Sequence, residues 1–222
     1  MCSTFSSEPP LYVVLTTSVM VYTVLITQVE TYDLPEVAGC FTAIEGKKNE
    51  YLMGFAKGFA IFDVATGSIT KRIGEPMSED QPGRLNDGRC DRQGRFVVGG
   101  CVIGEEGTHK VFTVDAGGWT VAPDIDVKLA NSICWSADGK TMFLADTLAG
   151  DWGKIWKYSY DAATGKIGER SEFVDYGTIR PTIFDTKEAL PHSLFPPCPD
   201  GSTTDAAGGL WNAAFGSGCV LR

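Results

Sequence analysis

Hydrophobic residues along the chain occur in short runs that are separated by turn-forming residues. The runs are rich in β-branched and aromatic residues and are bounded by Gly, Asp or Asn, which is typical of β-strands. Clear examples are residues 51–55, 96–100, 110–114 and 141–145. No window of the sequence carries an apolar stripe at helical spacing over several turns. The pattern therefore predicts an all-β protein.

Two kinds of turn sequence recur between the predicted strands. One places an Asp shortly before a Gly, at Asp91, Asp138 and Asp205. The other begins at Asp63, Asp115 and Asp161, which are 52 and 46 residues apart, close to the roughly 40–50 residues of a propeller blade. Such an Asp can bond to its own backbone and the Gly supplies a positive φ, so these residues are expected to form hairpin turns rather than to act in chemistry.

Composition narrows the class of protein and the kinds of partner. With 222 residues and 43% apolar composition, the chain can bury a sizeable core in one β domain. The net charge of -9 and the lack of a basic cluster argue against nucleic acid or an anionic membrane as a partner.

The cysteines and histidines carry no recognisable motif. Seven cysteines without a Cys-x-x-Cys pair argue against a zinc cluster or a complete disulfide framework. Most are expected to be reduced and buried, which indicates a reducing, cytoplasmic location. His109 and His192 are expected in surface loops.

Two segments depart from the repeated pattern. Residues 11–29 contain no charged residue. Their number approaches the roughly 20 residues that a membrane-spanning helix needs. Their Val, Thr and Tyr content favours two β-strands, with a signal or anchor helix as the alternative. Five prolines at residues 177–199 predict a long irregular loop. Residues 1–29 are therefore assigned to an abbreviated or divergent first blade, and residues 30–222 to the main propeller region.

Three motifs carry polar residues in a fixed order along the chain. Residues 84–95 begin with Arg-Leu-Asn-Asp-Gly, residues 130–136 read Ala-Asn-Ser-Ile-Cys-Trp-Ser, and residues 199–211 run from Pro-Asp-Gly to Leu-Trp. Their order and spacing resemble the signatures of the SMP-30/gluconolactonase (regucalcin-like) family over residues 30–222. The resemblance implies a six-bladed β-propeller with a divalent cation on its axis, in proteins that hydrolyse sugar lactones or bind calcium.

The length of the chain bears on how many blades it holds. Six blades of about 40–50 residues require roughly 240–300 residues, whereas the chain has 222. An incomplete propeller of about four to five blades is therefore expected.

The resemblance also implies roles for particular residues. By position, Asn131 matches a metal ligand of the family and Asp200 a residue that is both metal ligand and catalyst. Arg84 and Asn86 match residues that hold the sugar lactone. Glu8 matches the third metal ligand, because residues 8–12 fit the short Glu-x-Pro pattern of the family, although at a shorter distance from the next blade.

The motifs depart from the family pattern beside one of these ligands. Ala130 and Ser132 flank Asn131 where the family has Ser and Gly. Taken singly, Asn-Asp-Gly and Pro-Asp-Gly are ordinary turn sequences. Their joint occurrence in the order of the family favours a site.

The chemistry of these side chains agrees with the implied function. Carboxylate and amide oxygens are hard ligands that suit calcium, and with water they also hold zinc, so calcium or zinc is the expected cofactor. A bound cation would polarise the carbonyl of a sugar lactone, and Asp200 would act as the general base. The alternative function is a non-catalytic calcium-binding or scaffold propeller.

Overall fold

The computed structural model describes residues 11–15, 18–22, 29–77, 82–102, 106–150, 153–183 and 197–222. Its strands form antiparallel sheets that follow one another in chain order. The first sheet contains β1 (Leu11–Leu15), β2 (Ser18–Tyr22) and β3 (Val29–Asp33). The prediction of strands near the start of the chain is confirmed. None of the helices in the described part of the chain is long and apolar enough to cross a membrane.

The next three sheets are four-stranded meanders, and the last described sheet has three strands. The second sheet contains β4 (Ala38–Ala43), β5 (Glu50–Phe55), β6 (Phe59–Asp63) and β7 (Ser68–Gly74). The third contains β8 (Gly83–Cys90), β9 (Phe96–Val102), β10 (His109–Asp115) and β11 (Gly118–Val127). The fourth contains β12 (Ala130–Trp135), β13 (Thr141–Asp146), β14 (Lys154–Asp161) and β15 (Lys166–Asp175). The fifth contains β16 (Cys198–Thr204), β17 (Leu210–Phe215) and β18 (Cys219–Leu221).

The first strand of each sheet stands beside the first strand of the next. Strand β8 contacts β4 on one side and β12 on the other, and β12 in turn contacts β16. The sheets are thus arranged as propeller blades, with the first strand of each blade innermost, beside the central axis. The expected all-β propeller with an incomplete set of blades is confirmed.

Apolar side chains between neighbouring blades form the core. Between the second and third blades, Phe59 packs edge-on against Phe112 with ring centroids 6.2 Å apart. Between the third and fourth, a larger cluster includes Val111, Met142 and Leu144. Burying each such side chain contributes about 1.5–3 kcal/mol, so the blades stabilise one another through their faces.

The predicted hairpin turns are confirmed. The Asp91 carboxylate accepts hydrogen bonds from backbone amides two and four residues later, at 2.9 and 2.8 Å. Asp205 accepts the same pair of bonds at 2.9 and 2.8 Å. Gly94 and Gly208, three residues after each Asp, both have a φ of 84°, which glycine adopts without strain. Asp63, Asp115, Asp138 and Asp161 also accept bonds from the amides of their own turns.

The prediction of an irregular loop over residues 177–199 is wrong at its end, where β16 already includes residues 198 and 199, and at its start. An eight-residue helix, α1 (Tyr176–Ile183), follows β15 directly. The Asp175 carboxylate accepts a hydrogen bond from the Gly177 amide at 2.7 Å, and the Thr178 hydroxyl donates to the Asp175 carbonyl at 2.7 Å. Asp175 is therefore an N-cap that stabilises the first turn. Residues 184–196 lie outside the described part of the chain.

The expectation for His109 is also wrong, because its side chain is only 4% exposed. It begins β10, and a Cβ added at Gly83 would lie 2.0 Å from its Nε2 atom, so that glycine makes room for the ring. His192 lies outside the described residues.

The cysteines largely follow the expectation. Four are free and buried, namely Cys40, Cys101, Cys134 and Cys198, and Cys219 is free and exposed. Cys90 is disulfide-bonded.

Candidate functional site

The innermost strands of the third, fourth and fifth blades share a local irregularity that prepares the site. Each of them has one more residue than its partner strand between two points of regular pairing: after Leu85 in β8, after Asn131 in β12 and after Pro199 in β16. Such a β-bulge re-aims side chains and occurs often beside active sites. Asn86 and Asp200 lie within their bulges, and Asn131 lies at the edge of its own.

The second blade carries the same irregularity without a polar side chain. Strand β4 shifts its register between Ala38 and Cys40, which places Gly39 in the bulge. A Cβ at Gly39 would lie 2.4 Å from the backbone oxygens of both Leu85 and Asn86. The absence of a side chain therefore allows β8 to approach β4 at the level of Asn86.

The bulges open into a cleft of about 630 Å³. Its polar wall brings together the predicted site residues Arg84, Asn86, Asn131 and Asp200, and Thr147 joins them. The other lining residues are mostly apolar, namely Leu129, Leu148, Ala149, Cys198 and Phe215. Glu8, the remaining predicted ligand, lies outside the described residues.

A chain of hydrogen bonds fixes the orientation of the two amides. The Arg84 guanidinium donates to Asn86 Oδ1 at 2.5 Å, and Asn86 Nδ2 donates to Asn131 Oδ1 at 3.1 Å. Because a guanidinium can only donate, Asn86 must present its oxygen to Arg84 and its nitrogen to Asn131. The hydroxyl of Thr147 donates to the Pro199 carbonyl at 2.9 Å and accepts from Asn131 Nδ2 at 2.7 Å, which agrees with the same orientation.

This orientation places two acceptors against each other. Asn131 Oδ1 lies 3.0 Å from Asp200 Oδ1. A swapped Asn131 amide would donate to Asp200 and to the Ala130 carbonyl at 3.2 Å, but its nitrogen would then face Asn86 Nδ2 at 3.1 Å, where two donors would meet. The swap would also require the single hydroxyl hydrogen of Thr147 to serve both Asn131 and the Pro199 carbonyl. Two oxygens at this distance need a proton or a cation between them, and both are hard ligands. The donor set of Asn131 and Asp200 therefore fits a divalent cation.

The protein supplies few other ligating groups at this point. Among the described residues, no three His, Cys, Asp or Glu side chains converge on one point. Any further ligand would therefore be an amide, hydroxyl or backbone oxygen of the cleft, a water or substrate oxygen, or a group outside the described part of the chain.

Burial raises the pKa of the Asp200 carboxyl above its ordinary value, and a hydrogen bond from the Gly201 amide partly opposes this shift. The charged form is disfavoured where water is excluded. A carboxylate in this environment binds a proton or a cation more readily than an exposed Asp does.

Behind the cleft, a buried hydrogen-bond network holds the backbone of Asp200. Its carbonyl accepts from the Ser132 hydroxyl at 2.7 Å and from Asn212 Nδ2 at 2.9 Å. The Tyr176 hydroxyl donates to Asn212 Oδ1, and Asn212 is itself only 3% exposed. Sequence reasoning missed these positioning residues. Ser132 could have been found through its place after Asn131, whereas no motif marks Asn212 or Tyr176.

Asp87 was also missed as a charged group of the site, although it lies within one of the motifs. Its Oδ2 accepts a hydrogen bond from the Ile133 amide at 2.7 Å, which joins β8 to β12. Burial raises its pKa from 3.8 to about 6, and the nearby Asp200 charge adds to the shift, while the Ile133 bond and Arg89 oppose it.

The raised pKa of Asp87 predicts a pH-dependent loss of stability. The folded protein holds this proton more tightly than the unfolded chain, so its contribution is complete below about pH 4 and is lost as the pH rises through about 6. Asp87→Asn keeps an acceptor for the Ile133 amide and removes the charge. We expect it to raise the free energy of unfolding at pH 7 by about 2–3 kcal/mol and to change little below pH 4.

Urea unfolding at both pH values checks this expectation. Asp138→Asn, at an exposed turn, is the matched control and should change stability far less at pH 7. A gain in Asp87→Asn that is the same at both pH values would contradict the electrostatic explanation.

The sequence is similar to a known protein family and to several of its members. A sequence model described as the SMP-30/gluconolactonase/LRE-like region matches residues 13–222. The L-arabinolactonase of Azospirillum brasilense is 30% identical over 199 residues, which are 86% of this chain and 57% of that protein. The regucalcin of Danio rerio is 28% identical over 204 residues, covering 88% and 59% of the two chains. The chain thus spans somewhat more than half the length of these curated relatives.

A solved structure agrees with the fold. The structure of a calcium-binding protein, regucalcin, from Agrobacterium tumefaciens matches with a TM-score of 0.74 and 25% identity. The match covers 96% of this chain and 68% of that chain.

Proposed function

Because the chain belongs to the SMP-30/gluconolactonase/LRE-like family, we propose that it hydrolyses a sugar lactone with the help of a divalent cation. The observation that carries the proposal is the pair of oxygens on Asn131 and Asp200, 3.0 Å apart, in a cleft that also presents Arg84 and Asn86. The similarity to an arabinolactonase supports an aldonolactone, such as gluconolactone, as the substrate class.

Asn131 Oδ1 and the Asp200 carboxylate would hold the cation, and Glu8 is proposed as the third ligand. Calcium and zinc both accept such oxygen donors. When bound, the cation supplies Lewis acidity to the lactone carbonyl.

The remaining chemistry belongs to side chains of the cleft. Asp200 accepts the proton of the attacking water as general base, a role favoured by the raised pKa of its carboxyl, which brings it closer to neutral pH. Asn86 is held by Arg84 on one side and by Asn131 on the other. Both Arg84 and Asn86 line the cleft and would orient the hydroxyl groups of the sugar.

The location of the protein is proposed to be cytoplasmic. The free, buried Cys40, Cys101, Cys134 and Cys198 support a reducing compartment, although Cys90 is disulfide-bonded. Neither nucleic acid nor a membrane is proposed as a partner, given the net charge of -9.

A second candidate is a calcium-binding propeller without catalysis. The similarity to a regucalcin that is described as a calcium-binding protein favours it. The Asn131 and Asp200 oxygens would serve this function equally well, so the two candidates differ in turnover rather than in cation binding.

A pH-stat assay on a panel of aldonolactones, with calcium or zinc present, separates the two candidates. The proposal predicts acid release from at least one lactone above the spontaneous rate. Cation binding by folded protein without any such release would favour the second candidate.

Asn131→Ala is expected to weaken cation binding, because it removes a ligand. Loss of a residue that only holds a metal ligand in place weakens binding roughly 10–100-fold, so the effect of losing the ligand itself should be at least as large. Calorimetric titration with calcium or zinc checks this result. Asn49→Ala, in an exposed loop, is the control and should bind as the wild type does. Equal affinity in the two variants would remove Asn131 from the set of ligands.

A further inference from the structure

Ser132 has an unusual backbone conformation for its residue type. Its φ is 61°, and among the described residues every other position with a positive φ is a glycine. Left-handed conformations are unfavourable for residues with a Cβ, and they persist only where the surrounding structure enforces them. Ser132 is also completely buried, so solvent contacts cannot account for this conformation.

The hydroxyl of Ser132 connects two strands across the site. It lies 3.0 Å from Asn212 Nδ2, whose two N–H groups are shared among this hydroxyl, the Asp200 carbonyl and the Ser202 hydroxyl. The hydroxyl itself donates to the carbonyl of Asp200 at 2.7 Å. Since Ser132 directly follows Asn131 in the chain, this bond ties the backbone of one proposed ligand to the backbone of the other.

We propose that Ser132 is a positioning residue that sets the distance between the Asn131 and Asp200 oxygens, and with it the affinity for a divalent cation. This inference rests on the proposed function. The bulge of β12 places Ser132 between the Asn131 pair and the Cys134 pair, and from there its hydroxyl bonds to the Asp200 carbonyl. Loss of the hydroxyl leaves both ligands present but removes the bond that joins their backbones.

Ser202 offers a matched control. Its hydroxyl also accepts from Asn212 Nδ2, at 2.8 Å, and its side chain is buried as well. Among the described residues, no hydrogen bond joins this hydroxyl to the Asp200 carbonyl. Ser202→Ala therefore removes a buried serine hydroxyl from the same network and leaves the link between the ligands intact.

Two substitutions of Ser132 separate its hydroxyl from its backbone conformation. Ser132→Ala removes the hydroxyl and keeps the unfavourable φ, whereas Ser132→Gly removes the hydroxyl and relieves the backbone. We expect both to weaken calcium or zinc binding about 10-fold in calorimetric titration, the size of effect typical of an outer-shell partner. Ser132→Gly should have the higher Tm of the two, and Ser202→Ala should keep the affinity of the wild type.

The outcomes of this titration are distinct. Wild-type affinity in both Ser132 variants would overturn the inference while leaving the proposed function in place. Normal affinity in Ser132→Gly alone would assign the effect to the backbone conformation and would also overturn it, as would equal weakening in Ser202→Ala. If the wild-type protein binds neither cation, the proposed function fails, and the inference fails with it.

Discussion

Replacement of Asp200 by Asn is expected to lower the rate of lactone hydrolysis by about 10²- to 10⁴-fold, the usual contribution of a general base. The substitution removes the proton acceptor and weakens the proposed cation site. It should leave the fold intact, because the bonds from Ser132 and Asn212 go to the Asp200 carbonyl rather than to its side chain. Initial rates in a pH-stat, together with Tm, check both halves of the expectation.

Asp205→Asn is the matched control for this experiment. It lies in the same blade, and its carboxylate serves an exposed turn together with Arg222. Its hydrolysis rate should equal that of the wild type. Retained activity in Asp200→Asn would sink the assigned mechanism, even if the cation is bound.

The largest loss of stability is expected for Asp91→Ala, which should lower the free energy of unfolding by about 3–5 kcal/mol. Asp91 is only 6% exposed and pairs with Arg95. Its second oxygen also accepts from the Tyr160 hydroxyl at 2.7 Å, and burial raises the pKa of that hydroxyl, which therefore stays protonated as a donor. Removing the carboxylate leaves a partly buried guanidinium and a buried hydroxyl without their partner.

The same cluster joins two blades. The Arg95 guanidinium donates to two backbone carbonyls in the turn between β14 and β15, so the third and fourth blades both depend on it. Urea unfolding measures the change. Asp138→Ala removes the corresponding carboxylate from an exposed turn and should cost about 1 kcal/mol or less. Similar losses in the two variants would show that Asp91 acts only as a turn residue.

Local features of the fold could be predicted from the sequence because they depend on neighbouring residues. Asp63 and Asp161 bond to amides two residues later, so their turns are written in a few consecutive positions. The strands near the start of the chain followed from the β-branched content of residues 11–29. In contrast, α1 begins at Tyr176 after a single capping residue, Asp175. The prolines that follow in the sequence favoured a loop instead, so the helix was not predicted.

The candidate site could be predicted only in part. The motifs brought Arg84, Asn86, Asn131 and Asp200 together, because each marks the bulge of an innermost strand. The network behind Asp200 could not be predicted, since Asn212 meets Ser132 across 80 residues of sequence. The burial of His109 depends on glycines in neighbouring strands, and no local pattern reveals this arrangement.

The most direct test of a cation-dependent site at Asn131 and Asp200 is one titration followed in two ways. Protein stripped of metal is supplied with increasing calcium or zinc, while lactone hydrolysis is recorded in a pH-stat and cation binding by calorimetry. A cation-dependent site predicts negligible hydrolysis before cation is added and a rate that rises in proportion to the fraction of protein with bound cation. Hydrolysis at the full rate in the stripped protein, or saturation with cation without hydrolysis, would contradict it.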